Sequence, residues 1–189
     1  GKFYKNGRVA YLKLLKKVPK ENTARQAEIQ DTLAWIYEQR MAIEKDADWE
    51  LDYAVMLVSN KSENFDKIDS LFTNIHVLKG KCSSTQIRSY FRHLIVNRFN
   101  KAEGEDKEAW RVKIIDEYIT LSDYVKDAKK RVKEKVKDPA KQEKKIKSYD
   151  GAQSFLDKYF LKIAKDCEVL TPVLDKKFEA IPAGEAGMP

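Results

Sequence analysis

Apolar residues recur along this chain at the three- and four-residue steps of amphipathic helices, and the pattern predicts an all-α fold. The stretch 24–60 is the clearest example, because its first half carries two apolar faces rather than one. One face holds Ile29, Leu33, Ile36, Tyr37, Met41 and Ile43, and the other holds Ala34, Trp35 and Ala42. A helix with two apolar faces needs two neighbours, so we expect a layered array of helices.

The same pattern continues as helix pairs. Two successive pairs of similar length give a period of about 40 residues, which is typical of solenoids built from helix pairs. The sequence therefore predicts a single helical-repeat domain, a solenoid of about three to four helix pairs. Its predicted parts are a helix at 7–18, helix pairs at about 24–60, 64–101 and 106–165, and a final helix at 166–181, all within a domain 1–182 that is followed by a flexible tail at 183–189.

Local signals fix several helix ends and leave others open. Ser83 and Gln86 form a capping-box pattern, and either Asn22 or Thr23 can cap the helix that follows it. The run 49–58 is apolar nearly all round, as in a buried strand, but we favour a helix because the chain offers no second strand.

The third pair is predicted to contain a long projecting hairpin. Its first helix, about 106–137, keeps a second apolar face only before Leu121, so the distal half should pack against one partner only. Asp138 and Pro139 supply the turn. The returning segment is either one helix to about 165 or two helices, the second beginning near Asp150 and Gly151.

The net charge of +7 is confined to one segment of this hairpin. Residues 125–147 contain eleven Lys or Arg and four Asp or Glu, while bases and acids balance in the rest of the chain. Clustered bases bind polyanions through counterion release, so Lys129, Lys130 and Arg131 are candidate residues for an anionic polymer or nucleic acid. The interspersed acids and the lack of aromatic residues disfavour nucleic acid and favour a solvated helix pair.

Other chemistry has little support in the sequence. It contains no glycine-rich phosphate loop and no nucleophile elbow, so we predict no catalytic residues, no cofactor and a non-enzymatic protein. His76, Cys82 and His93 do not have the spacing of a zinc site, and we predict no metal. No apolar run is long enough to span a membrane. The two cysteines, Cys82 and Cys167, could pair or stay free.

Four further residues are singled out by their position. Arg40 falls within an apolar stripe, and we expect a structural ion pair with Glu44 or Asp52. Arg88, Tyr90 and Arg92 lie beside the apolar face of the helix that follows Ser83. In a curved helical array such residues can line a groove for a protein or peptide, although a solvated flank is the simpler interpretation.

Three short stretches resemble tetratricopeptide-like helical-repeat proteins exported by Bacteroides-type bacteria. They are LAWIYEQR at 33–40, WELDY at 49–53 and CEVLTPVLDKKF at 167–178. The resemblance implies a right-handed α-α superhelix, an export signal upstream, further repeats downstream, and a location in the periplasm or cell envelope. The absence of an initiator Met before Gly1 also indicates a fragment of a longer chain.

Two functional hypotheses follow from these observations. The first is a non-enzymatic helical-repeat scaffold that binds a protein or peptide partner. The second is binding of an anionic polymer through residues 125–147.

Overall fold

The computed structural model describes residues 2–164, and these residues form helices connected by short turns, without a β-strand. The all-α prediction is therefore confirmed for this part of the chain. Its α-helices are α1 (Lys2–Lys17), α2 (Thr23–Ile43), α3 (Ala47–Ser59), α4 (Phe65–Phe72), α5 (Asn74–Leu78), α6 (Ser84–His93), α7 (Gly104–Lys135) and α8 (Pro139–Ile163). The predicted final helix at 166–181, the tail at 183–189 and Cys167 lie outside the described residues.

Polar caps begin several of these helices. The Asn22 side chain accepts a hydrogen bond from the Arg25 N–H, so Asn22 rather than Thr23 caps α2. At α3, the Asp46 side chain caps the helix by accepting hydrogen bonds from the N–H groups of Asp48 and Trp49. The run 49–58, whose apolar pattern also fitted a buried strand, is therefore helical. The capping box of Ser83 and Gln86 is confirmed at α6.

Helix interiors differ from the prediction at two places, and at a third the structure decides between two predicted alternatives. The predicted helix after Asn64 breaks at Thr73, where the Thr73 hydroxyl donates to the Ser70 carbonyl and separates α4 from α5. After α6 the chain continues as a π-helical segment, Leu94–Arg98, and a 3₁₀ turn, Phe99–Lys101. Asp150 and Gly151 lie inside an uninterrupted α8, so the alternative of a separate second helix is wrong.

The packing divides the chain into two compact units, with the division between Leu78 and Lys79. The predicted pair 64–101 falls partly in each unit, whereas α2–α3 and α7–α8 each lie within one. The repeat architecture and the single domain therefore stay predictions.

The first unit has an aromatic core where α2 meets α3. The rings of Tyr37 and Tyr53 stack with centroids 5.0 Å apart, and the Trp49 indole N–H donates to the Tyr37 carbonyl at 3.2 Å. Burial raises the pKa of Tyr37 to about 12. Helix α1 is fastened to this core by an ion pair between Arg8 and Asp52, with the Arg8 guanidinium lying over the Trp49 ring.

Arg40 forms the structural ion pair expected of it, with one of the two predicted partners. Its guanidinium lies 2.7 Å from the Glu44 carboxylate and 3.9 Å from that of Asp46, and only 12% of its side chain is exposed. Asp52 is not its partner, because Arg8 of α1 takes that carboxylate.

The second unit is built on α7, whose buried residues continue as a single stripe from Leu121 through Val125 and Ala128 to Val132. Helix α8 packs along α7 as the predicted hairpin partner. The expectation that the distal half of α7 has one partner only is wrong, since the 3₁₀ turn Lys79–Lys81 also packs against it. Gly80 permits this contact, because a Cβ there would lie 2.5 Å from the Asp127 Cβ.

Among the described residues, no helix has the length and apolar character needed to cross a membrane.

Candidate basic pocket

Three segments of the second unit line a cavity of about 400 Å³ that is open to solvent and has basic, hydroxyl and apolar side chains in its wall. We call this cavity the basic pocket. The lining comprises Gly80, Lys81, Ser83 and Ser84 before and at the start of α6; Ala128, Arg131, Val132, Lys135 and Val136 at the end of α7; and Lys145, Ser148 and Tyr149 on α8.

Hydrogen bonds between distant residues hold the three segments around the pocket. The Arg131 guanidinium donates to the Gly80 carbonyl at 2.7 Å, which joins α7 to the 79–81 turn. The Tyr149 hydroxyl donates to the Cys82 carbonyl at 2.8 Å and joins α8 to the same loop. Burial raises the pKa of Tyr149, so this phenol stays protonated and remains a donor at neutral pH.

Hydroxyl groups line the side of the pocket where α6 begins. Ser84, 7% exposed, has its hydroxyl 2.6 Å from that of Ser148 on α8. Ser83 caps the helix through its hydroxyl, which accepts from the Gln86 N–H at 3.2 Å. The positive end of the α6 dipole therefore adds to the potential at this side.

The pocket contains four basic side chains and no acidic one. Lys81, Arg131, Lys135 and Lys145 all line it, and its lining includes neither Asp nor Glu. Within residues 2–164, none of the four has a carboxylate oxygen within 4.0 Å. None of the four is therefore in an ion pair with a described carboxylate, and Lys81, Lys135 and Lys145 are exposed to solvent.

A second cavity, of about 530 Å³, lies between α7 and α8 and is lined by acidic as well as basic side chains. Its two lysines are both paired: Lys126 lies 3.4 Å from Asp123, and Lys129 lies 2.6 Å from Asp150. Its charges are thus balanced by neighbouring carboxylates, which makes the basic pocket the stronger candidate for an anion.

The structure separates the three bases singled out by the sequence. Arg131 lines the basic pocket, Lys129 is paired at the second cavity, and Lys130 is exposed and lines neither. Sequence reasoning missed Lys81, Lys135 and Lys145. The four-residue spacing of Arg131 and Lys135 on one helix was a signal for part of the site, because such residues share a face.

The three candidate residues for peptide binding are also separated. Arg88 and Arg92 are exposed on α6, and the Arg92 guanidinium lies over the Phe155 ring at 5.7 Å. Tyr90 is only 5% exposed and its hydroxyl donates to the buried Glu117 carboxylate at 3.0 Å. Tyr90 therefore belongs to the core and does not face a surface groove.

His76, Cys82 and His93, the residues considered as zinc ligands, do not form a metal site in the described part of the chain. His93 and Cys82 are buried, and in the described part of the chain no three His, Cys, Asp or Glu side chains are grouped as metal ligands.

Comparison of the chain with models of protein families, with curated proteins and with solved structures finds no match.

Proposed function

We propose that this protein is a non-enzymatic helical binding protein whose second unit holds an anionic ligand in the basic pocket. The observation that carries the proposal is the convergence of Lys81, Arg131, Lys135 and Lys145 on a cavity without a lining carboxylate. The lining also contains the hydroxyl groups of Ser83, Ser84 and Ser148, which can donate further hydrogen bonds to an anion. Binding is the function that this set of side chains supports.

The arrangement favours an anionic ligand because none of the four bases is in an ion pair with a described carboxylate. Like charges that share a cavity repel each other, and a bound anion removes that repulsion while gaining charge-assisted hydrogen bonds. Such hydrogen bonds are worth about 1.5–3 kcal/mol each, and 1.4 kcal/mol corresponds to about tenfold in affinity.

The proposal is tested by measuring the affinity of the protein for inorganic pyrophosphate and for heparin by isothermal titration calorimetry. We expect the wild type to bind both probes, more weakly as salt is raised. The double variant Lys135→Met/Lys145→Met should lose about tenfold or more in affinity, since each substitution removes one charge from the pocket but keeps the bulk of the side chain.

A matched control is available on the same two helices. Lys130 on α7 and Lys144 on α8 are both exposed and lie outside the pocket lining. The double variant Lys130→Met/Lys144→Met has the same net charge as the pocket variant and should bind like the wild type. Equal losses in the two variants would show diffuse attraction to the hairpin and would contradict a pocket.

An exposed stripe on α6 favours a second proposal, the helical-repeat scaffold for a protein or peptide partner in the cell envelope. Arg88 and Arg92 are exposed one turn apart on α6, and Val96, in the π-helical segment that follows, is an apolar side chain that is 43% exposed. Arginine beside exposed apolar surface is common in protein interfaces. Specific capture of one partner from an envelope extract should be lost in Arg88→Ala/Arg92→Ala, and unchanged capture would count against this surface.

A further inference from the structure

We infer that the anion in the basic pocket is the terminal phosphate of a small phosphomonoester, whose uncharged part lies against the apolar wall formed by Ala128, Val132 and Val136. The inference rests on the proposed function and names the ligand class for the same site. It differs from the binding of a polymer such as nucleic acid, for which internal phosphodiesters supply the charge.

The first argument is the placement of the bases around a single volume. Lys81 comes from the loop before α6, Arg131 and Lys135 from α7, and Lys145 from α8, yet all four line one cavity of about 400 Å³. That volume is in the range of small-molecule sites. A polymer track requires cations spread along a path, whereas the other cavity of this hairpin has its lysines neutralised by Asp123 and Asp150.

The second argument is the number of charges and donors. A terminal phosphate carries a charge of about −1.5 to −2 at neutral pH and has three strong acceptor oxygens. A phosphodiester carries a single charge, as does a carboxylate. Four bases together with the hydroxyls of Ser83, Ser84 and Ser148 match the more highly charged group with more acceptors.

The third argument is the character of the remaining wall. Ala128 and Val132 are one turn apart on α7, and Val136 is the C-cap residue of that helix, so three apolar side chains line the pocket beside the bases. The one aromatic ring in the lining, that of Tyr149, is held by its hydrogen bond to the Cys82 carbonyl. Binding of single strands relies on rings on which successive bases stack, and this lining has no such series.

The inference is tested with four probes in calorimetric titrations of the full chain: phenyl phosphate, methyl phenyl phosphate, inorganic phosphate and a single-stranded DNA 20-mer. At pH 7.5 phenyl phosphate should bind at least about tenfold more tightly than its singly charged methyl ester, the effect of one added charge-assisted hydrogen bond. It should also bind more tightly than inorganic phosphate, because its ring covers the apolar wall.

The affinity for phenyl phosphate should rise with pH through the second phosphate pKa, about 6, because the dianion is the bound form. The variant Lys135→Met/Lys145→Met should lose this binding, and Lys130→Met/Lys144→Met should retain it. Equal affinity for phenyl phosphate and its methyl ester would overturn the inference.

The outcomes distinguish this inference from the proposed function. If heparin or the DNA binds through the pocket residues while phenyl phosphate does not, the site is a polymer site and only the inference fails. Salt dependence identifies that case, since each phosphate contact of a single strand contributes about −0.7 to the slope of log K against log salt. If no anionic probe depends on Lys135 and Lys145, both the inference and the proposed function are wrong.

Discussion

Gly80 is the single residue on which the geometry of the basic pocket depends most directly. The turn that contains it lies against α7 so closely that an added Cβ would be 2.5 Å from the Asp127 Cβ and 3.3 Å from the Ala128 nitrogen. The left-handed backbone conformation of this turn belongs to Lys79, with φ of 48°, and not to Gly80. Gly80 is therefore required for close approach, and the same approach brings its carbonyl to Arg131.

We expect Gly80→Ala to lower the free energy of unfolding by about 1–3 kcal/mol, the usual cost of forcing extra volume into a packed contact. Gly151→Ala is the matched control, because Gly151 is in the interior of α8 and nothing lies within 4 Å of its added Cβ. That substitution should raise the free energy by about 0.5–1 kcal/mol through helix propensity. Urea denaturation measures both, and a stable Gly80→Ala would show that the turn is free to move away from α7.

Ion pairs show how far individual residues can be predicted from sequence. The pairing of Arg40 with Glu44 was predictable, because residues four apart on a helix are neighbours whatever the rest of the fold does. The pairing of Asp52 with Arg8, 44 residues away, depends on how α1 packs and carries no local signal. Asp52 was for that reason expected only as one of two alternative partners of Arg40, across the α2–α3 hairpin.

At the scale of elements, hydrophobic periodicity predicted the helices, and local capping chemistry predicted several of their ends. The apolar stripe of α7 and the capping box of α6 are patterns of residues that are near each other in the sequence, so both can be recognised from the sequence alone. The packing of the 79–81 turn against α7 could not be predicted in this way, because it joins residues almost 50 positions apart in the sequence.

The candidate site was also predicted only in part, because its composition is local in the sequence whereas its assembly depends on contacts between distant residues. The excess of bases in 125–147 was visible in the sequence, but it includes residues on every side of two helices. The pocket takes only Arg131, Lys135 and Lys145 from that segment and adds Lys81 from the loop before α6. Selecting among eleven bases required knowing which carboxylates neutralise Lys126 and Lys129, and Asp150 lies outside the segment.

At the scale of the whole molecule, the basic pocket lies entirely in the second of the two compact units. Its three segments are held by α6, α7 and α8, while the aromatic core of Tyr37, Trp49 and Tyr53 belongs to the first unit. A ligand that binds only the folded form stabilises it by RT ln(1 + [L]/Kd). The ligand suppresses only those unfolding reactions that disrupt its binding site. The amides whose hydrogen exchange slows when the ligand is bound therefore locate the site.

Hydrogen exchange with and without pyrophosphate should therefore separate the two units. With the ligand at about 100 times its Kd, amides of α6, α7 and α8 that exchange by opening the pocket should slow by up to about 100-fold. Amides in α2 and α3 should change little, since their packing is within the first unit. The variant Lys135→Met/Lys145→Met should show no slowing at the same concentration. Equal slowing in α2 and α7 would instead mean that the two units open together, and slowing confined to α2 and α3 would place the anion outside the basic pocket.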